Sequence, residues 1–251
     1  MAIDTSKKQN NFIARNPGLL LGTAIILSTI IASYTFYQTR SLWDELSVTG
    51  SVRTAVVSDT VKWTAVFNRT TKLSALKSGY SKIDSDLVQV KNFLTAKGIK
   101  ADEIDISPVF MDQVYDYNPA TSSGTDKEYV LRQNVEINSK DVTRVTNVAK
   151  NTQELIEKGV IFSTTGIEYS YSKLSELRVS LLGSAIQDAQ ARASKIAESG
   201  GKRIGSLRSA SSGVVQVLSK NSNEINDYGS YDMSKIEKDI MLTVKASFAL
   251  K

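Results

Sequence analysis

The chain has 251 residues, 41% of them hydrophobic, enough to build a proper core, so disorder as a whole is excluded. It contains no histidine and no cysteine, which removes the commonest general base and metal ligand, thiol nucleophiles, disulfides, zinc–thiolate sites and iron–sulfur clusters. The net charge of +5 does not call for a nucleic-acid partner: Lys7, Lys8, Arg15 and Arg40 face only Asp4 in the first 40 residues, and the rest of the chain is nearly balanced.

The first predicted element is a membrane segment. Between Arg15 and Arg40 lie 24 uncharged residues, and a span needs about 20. Its apolar surface is carried by Leu19, Leu20, Leu21, Ile25, Ile26, Leu27, Ile30 and Ile31, and Tyr34, Phe36 and Tyr37 cluster at the far end, where aromatic rings favour the interface. Lys7, Lys8 and Arg15 hold the N-terminus on the cytoplasmic side. The predicted organisation is a cytoplasmic basic tail over 1–17, a transmembrane signal anchor over 18–38 and an outer domain over 39–251. A cleaved secretory signal competes with this reading. Against it, the apolar run is longer than a signal core, and Ile31-Ala32-Ser33 puts a large residue where a small one is wanted.

Beyond Trp43 the period changes to two. The run from Leu46 to Val57 and the alternation Val61, Trp63, Ala65, Phe67 predict an opening pair of strands. Leu73, Leu76, Tyr80, Ile83, Leu87, Val90 and Leu94 alternate steps of three and four, predicting a long amphipathic helix that stops at Gly98. Ile104 to Phe110 begin another strand, and Tyr129 to Ile137 form its partner across the polar connection 116–127. Ser139 is expected to cap a second helix, with Asp141 in its first turn, a stripe of Val142, Val145, Val148, Leu155 and Ile156, and an end at Gly159.

Ile167, Tyr169 and Tyr171 read as a strand. Ser172 then caps a third helix carrying Leu174, Leu177, Leu181, Ala185, Ala189 and Ile196 as far as Gly200-Gly201. Strands at Val214–Leu218 and over Ile240, Leu242, Val244 and Phe248 close the chain, flanking a polar segment from Ser219 to Ser234. The order predicts an α+β domain whose amphipathic helices cover a largely antiparallel sheet.

Several tracts carry a family resemblance. They are Leu46-Ser47-Val48-Thr49-Gly50, Leu94-Thr95-Ala96-Lys97-Gly98-Ile99 with Ile104-Asp105-Ile106-Ser107-Pro108, Tyr115-Asp116-Tyr117, the Ala-rich run Ala185 to Ala193, and Leu242-Thr243-Val244. In order and spacing they resemble the SIMPL (DUF541) domain family over about residues 44 to 250. The resemblance implies an envelope domain, linked in some members to stress tolerance and in at least one to ring or channel-like oligomers. It supplies no catalytic residues.

The remaining constellations have plain structural readings. Asp188 and Arg192 stand four apart on the third helix, with Arg178, Lys195 and Glu198 nearby, as a solvated ion-pair face would. Asp102, Glu103, Asp105, Asp112 and Asp116 lack the spacing and glycine of a calcium loop. Ser78-Gly79-Tyr80-Ser81-Lys82 falls inside a helix pattern, and Gly200-Gly201-Lys202 follows a helix instead of opening one, so no hydrolase or phosphate-loop signature stands.

The sequence thus predicts a non-enzymatic protein without cofactor or metal, single-pass in the bacterial inner membrane with its bulk in the periplasm, self-associating into a ring. Candidate subunit contacts are Tyr117, Asn118, Arg178, Asp188, Arg192, Tyr228 and Tyr231. The alternative is a monomeric periplasmic binding module for an envelope protein or a small ligand.

Overall fold

The computed structural model describes residues 17–41, 44–114, 127–222 and 228–251. Their elements run α1 (Pro17–Ser41), β1 (Glu45–Val57), β2 (Thr60–Lys72), α2 (Leu76–Ala96), β3 (Ile104–Ile106), β4 (Phe110–Gln113), β5 (Glu128–Ser139), α3 (Val142–Lys150), α4 (Gln153–Glu157), β6 (Ile161–Ser170), α5 (Leu174–Ser199), β7 (Ile204–Ser219) and β8 (Glu237–Leu250). The fold is α+β, as the periodicity predicts. It has two sheets, ordered β1-β8-β7 and β3-β5-β2-β6, with β4 also on β5. The chain divides into two compact units, and β1, α5, β7 and β8 contribute residues to each.

The larger unit comprises residues 51–184 and 213–243. Its five-stranded sheet is built on β2, which is antiparallel to β5 from Val61↔Ser139 to Lys72↔Glu128 and antiparallel to β6 on its other side. Alternation along β2 turns Val61, Trp63, Ala65 and Phe67 into the core, where α2 and α3 supply Ile83, Val90, Phe93, Leu94 and Val145. The Trp63 and Phe162 rings meet edge-on at 6.0 Å, and the Trp63 indole N–H donates to Thr164 Oγ1 at 3.1 Å. A second cluster in this unit joins Leu181 to Val217, Ile240 and Leu242.

Several expectations change on contact with tertiary structure. β1 and β2 are consecutive but lie in different sheets and do not pair. A two-residue hairpin needs positive φ at its centre, and neither Ser58 nor Asp59 has one. Instead the Ser58 N–H donates to Ile236 O at 2.9 Å, and the Asp59 carboxylate accepts from the Ser172 N–H and hydroxyl at 2.7 Å each, so the corner passes the chain from one sheet to the other. Ser172 is therefore engaged with Asp59 two residues before α5 begins.

Pro108 divides the expected strand into β3 and β4. The second helix is capped by Asp141, which accepts from the Arg144 N–H at 2.9 Å, while the Ser139 hydroxyl donates to Glu103 at 2.6 Å. That helix also breaks into α3 and α4. The break changes its phase, so Leu155 is buried and Ile156 exposed. Leu73 and Tyr80 are likewise exposed, ahead of the buried stripe of α2. On α5 the buried line keeps a step of four through Ala193 and Ala197, leaving Ile196 outside. Gly98 and Gly159, with φ of +85° and +80°, end α2 and α4 as expected.

The smaller unit comprises residues 1–50, 185–212 and 244–251. Ala189, Ala193, Ala246 and Phe248 form its core with Leu46, Val48 and Ile204. Small side chains let α5 lie close to the sheet. A Cβ at Gly50 would collide with the backbone of Ala185 and Ala189, which cannot swing aside as a side chain would.

Two stability predictions follow from this packing. Asp86 is buried on α2 and holds Arg69 of β2 through bonds of 2.5 and 2.7 Å, while the same guanidinium donates to Gly159 O at 2.8 Å. Asp86→Ala should cost about 3 kcal/mol, the low end for breaking a buried pair, because Arg69 keeps some solvent. Gly50→Val should cost about 3 kcal/mol, at the upper end of overpacking. Urea unfolding of the detergent-solubilised chain checks both, and an unchanged midpoint would refute the corresponding contact.

Candidate functional site: anchor, exposed helix face and strap

At 25 residues, α1 is about 37 Å long, more than the ~30 Å hydrocarbon core requires. It is not a core helix. Leu21, Ile25, Ile26, Leu27, Ile30, Ile31, Tyr34, Phe36 and Tyr37 are between 57% and 75% exposed, and none of the apolar window Leu21–Thr39 is buried. Leu19 and Leu20 lie on the same helix. Several of its hydroxyls are satisfied locally: Ser28 and Thr29 donate to Ile25 O, Thr35 to Ile31 O and Thr39 to Thr35 O, at 2.7–2.8 Å. Such internal pairing is what a helix in hydrocarbon requires, because lipid offers no partners. Lys7, Lys8 and Arg15 lie outside the described residues.

The candidate contact residues fall on separate surfaces. Tyr117 and Asn118 lie outside the described residues. Arg178 is exposed on the part of α5 in the larger unit, next to Val179 at 68% exposure. Asp188 and Arg192 belong to the smaller unit and form the expected i,i+4 ion pair at 2.8 Å. This is a solvated pair, worth a few tenths of a kcal/mol. Tyr228 and Tyr231 are 94% and 49% exposed.

The two tyrosines belong to a strap over residues 228–236, tied into the larger unit. The Val217 N–H donates to Ser230 O at 2.7 Å, the Asp232 N–H to Val217 O at 2.8 Å and the Tyr169 N–H to Met233 O at 2.8 Å. Gln216, itself buried, accepts from the Ser230 N–H at 2.9 Å. Beneath the strap, the fully buried Lys238 ammonium donates to Asp232 O. Neither Lys238 nor Asp86 is among the residues singled out from the sequence; the signal that could find them is a charge in phase with an apolar face, Lys238 with Ile240, Leu242 and Val244, and Asp86 with Ile83, Val90 and Phe93.

Two open clefts flank this region of the larger unit. One, about 650 Å³, is lined by Lys62, Lys100, Lys140, Glu103, Glu168 and Met233 among others. The other, about 580 Å³, is lined by Lys150, Lys220, Lys235, Glu237, Thr146 and Tyr169 with their neighbours. At the floor of the second, Tyr169 Oη and Thr146 Oγ1 are hydrogen-bonded at 3.0 Å. Of the acidic residues that imitate a calcium site, Glu103 and Asp112 are engaged elsewhere, and Asp116 lies outside the described residues. The Ser139 hydroxyl holds the Glu103 carboxyl below its ordinary value, and Asp112 pairs with Arg132 at 2.8 Å. Among the described residues no group of three or more carboxylates is placed to hold a metal ion.

The outer domain combines an antiparallel sheet with an alanine-faced helix packed on it, behind an exposed apolar helix. The SIMPL family model, described as a protein of unknown function (DUF541), matches residues 46–248. The chain belongs to the SIMPL family. A search of the curated proteins finds no match. The SIMPL domain thus begins within five residues of the end of α1, and the combination fits a membrane-anchored envelope protein.

Lys238 gives the SIMPL domain a measurable pH signature. Burial pushes its ammonium below the ordinary lysine value of 10.5, against the opposing pull of the Asp232 carboxylate. The unfolded chain therefore holds this proton more tightly than the folded one, and the lysine contributes stability that rises with pH between its folded value and 10.5. Urea midpoints should climb more steeply as pH rises towards 10.5 for the native chain than for Lys238→Met. Parallel profiles would show that the ammonium is not held out of water.

Proposed function

We propose that this protein is a non-enzymatic, membrane-anchored scaffold whose SIMPL domains self-associate into a closed ring, with a role in envelope stress tolerance. The N-terminal tail is cytoplasmic, α1 crosses the inner membrane, and the domain stands in the periplasm. The observation that carries this reading is an exposed apolar helix on which Ser28, Thr29, Thr35 and Thr39 donate to its own carbonyls, ending four residues before the domain's first strand. Copies held this way share one orientation and diffuse in two dimensions. A patch that binds a different patch on its neighbour then generates a ring whenever the rotation closes. No nucleic acid or cofactor enters the proposal.

The mass of the detergent-extracted, full-length protein, measured by light scattering beside intact mass spectrometry, tests this directly. The expected result is one large species built from uncleaved 27.5 kDa chains. A monomer would overturn the ring, and a mature start near Tyr34 would remove the anchor.

The two clefts favour a second reading, a monomeric module that binds an envelope protein or a small ligand. Their linings of lysine, carboxylate and hydroxyl groups suit a polar ligand. That reading requires a protein whose mass does not change with concentration.

A further inference from the structure

β7 is a long edge strand left open over half its length. It ends the order β1-β8-β7, and no described strand lies beyond it. At Val217 its outer edge is taken by the strap, through the bonds to Ser230 and Asp232. From Ser206 to Ser211, by contrast, all six consecutive residues are exposed. An open edge of this length is a template for another strand, and soluble proteins usually blunt such edges with lysines, prolines or bulges. Here the sequence is Ser-Leu-Arg-Ser-Ala-Ser, with Arg208 its one charge, no proline, and small side chains that let another backbone approach.

The opposite edge of the same sheet is formed by β1, which begins Glu45-Leu46-Ser47-Val48-Thr49-Gly50. The two edges are level with each other. The Leu250 N–H donates to Asp44 O at 2.9 Å, and Arg203 and Lys251 exchange backbone bonds of 2.8 Å, so the starts of β1 and β7 flank the end of β8. These residues all lie in the smaller unit, and α1 ends at Ser41, four residues before β1. In anchored copies both open edges therefore sit at the membrane-proximal end of the sheet.

We infer that the β7 edge at Ser206–Ser211 pairs with the β1 edge at Glu45–Gly50 of a second copy of this chain, continuing the three-stranded sheet from one subunit to the next. This rests on the self-association proposed above and names its contact. β1 and β7 both run antiparallel to β8, so they run parallel to each other. Copies in one membrane share their orientation, and the intermolecular pair is a parallel ladder, slightly weaker per residue than an antiparallel one. The contact joins two different patches, the head-to-tail geometry that closes into a ring.

The chain has no cysteine, so introduced thiols report without background. Two differently tagged full-length copies, one carrying Ser209→Cys and the other Thr49→Cys, are co-expressed and oxidised in native membranes, with Ser211→Cys and Ser47→Cys covering a shift of register. The expected result is a disulfide-linked dimer carrying both tags, at least tenfold above either variant alone, and a ladder of multimers when both cysteines sit on one chain. Links between two Ser209→Cys copies alone would show a symmetric β7 contact and overturn the inference. No link in any combination, with the light-scattering mass still large, would overturn it and leave self-association standing. A monomeric mass would remove both.

Discussion

Every backbone N–H and C=O taken out of water needs a partner, and the structure is organised by where those partners come from. α1 supplies its own, down to the hydroxyls of Ser28, Thr29, Thr35 and Thr39, which is why it can stand with no protein around it. The larger sheet satisfies β2 from both sides by pairing it with β5 and β6. The strap over 228–236 does the same for β7 at Val217, using backbone from a segment that is not itself a strand. What remains is the outer edge of β7 over Ser206–Ser211, an exposed run with no described strand beyond it.

The second organising feature is how closely α5 approaches its sheet. Gly50 and the alanines at 185, 189 and 193 bring helix and strand backbones nearly into contact, a geometry that few larger residues would permit. Close approach leaves little apolar area to bury, so the cluster of the smaller unit depends on Phe248, Leu46 and Val48 around an alanine floor. The larger unit instead buries Trp63, Phe67, Phe93 and Phe162, with bulky side chains filling the space between helix and sheet. Two styles of core thus serve two purposes. The bulky one fills the space between helices and sheet, and the alanine one brings helix and strands close together.

Charge is used sparingly inside the protein and freely on its surface. Asp86 and Lys238 are the two fully buried charged side chains with a clear structural task, one locking α2 to β2 and the other fastening the strap. The surface pairs, Asp188–Arg192 among them, contribute little energy.

The sequence by itself determined the elements that depend on local periodicity. These are the apolar run of α1, the alternation that turns Trp63 and Phe67 inward, the long helices α2 and α5, and the glycine stops at Gly98 and Gly159. Each follows from a repeat of two or of three to four residues, and tertiary contacts only had to accept them. Tertiary structure alone decided which strands pair. β1 and β2, two residues apart, go to different sheets because the Ser58-Asp59 corner is bonded to Ile236 and Ser172, more than a hundred residues away in the chain. It also decided that Asp141 and not Ser139 caps α3, and that the second helix breaks, since both turn on Glu103 taking the Ser139 hydroxyl and on how Leu155 reaches the core. The open edge of β7 was invisible for the same reason: a strand's pattern records which face is buried, whereas its edge is defined by the neighbours it lacks.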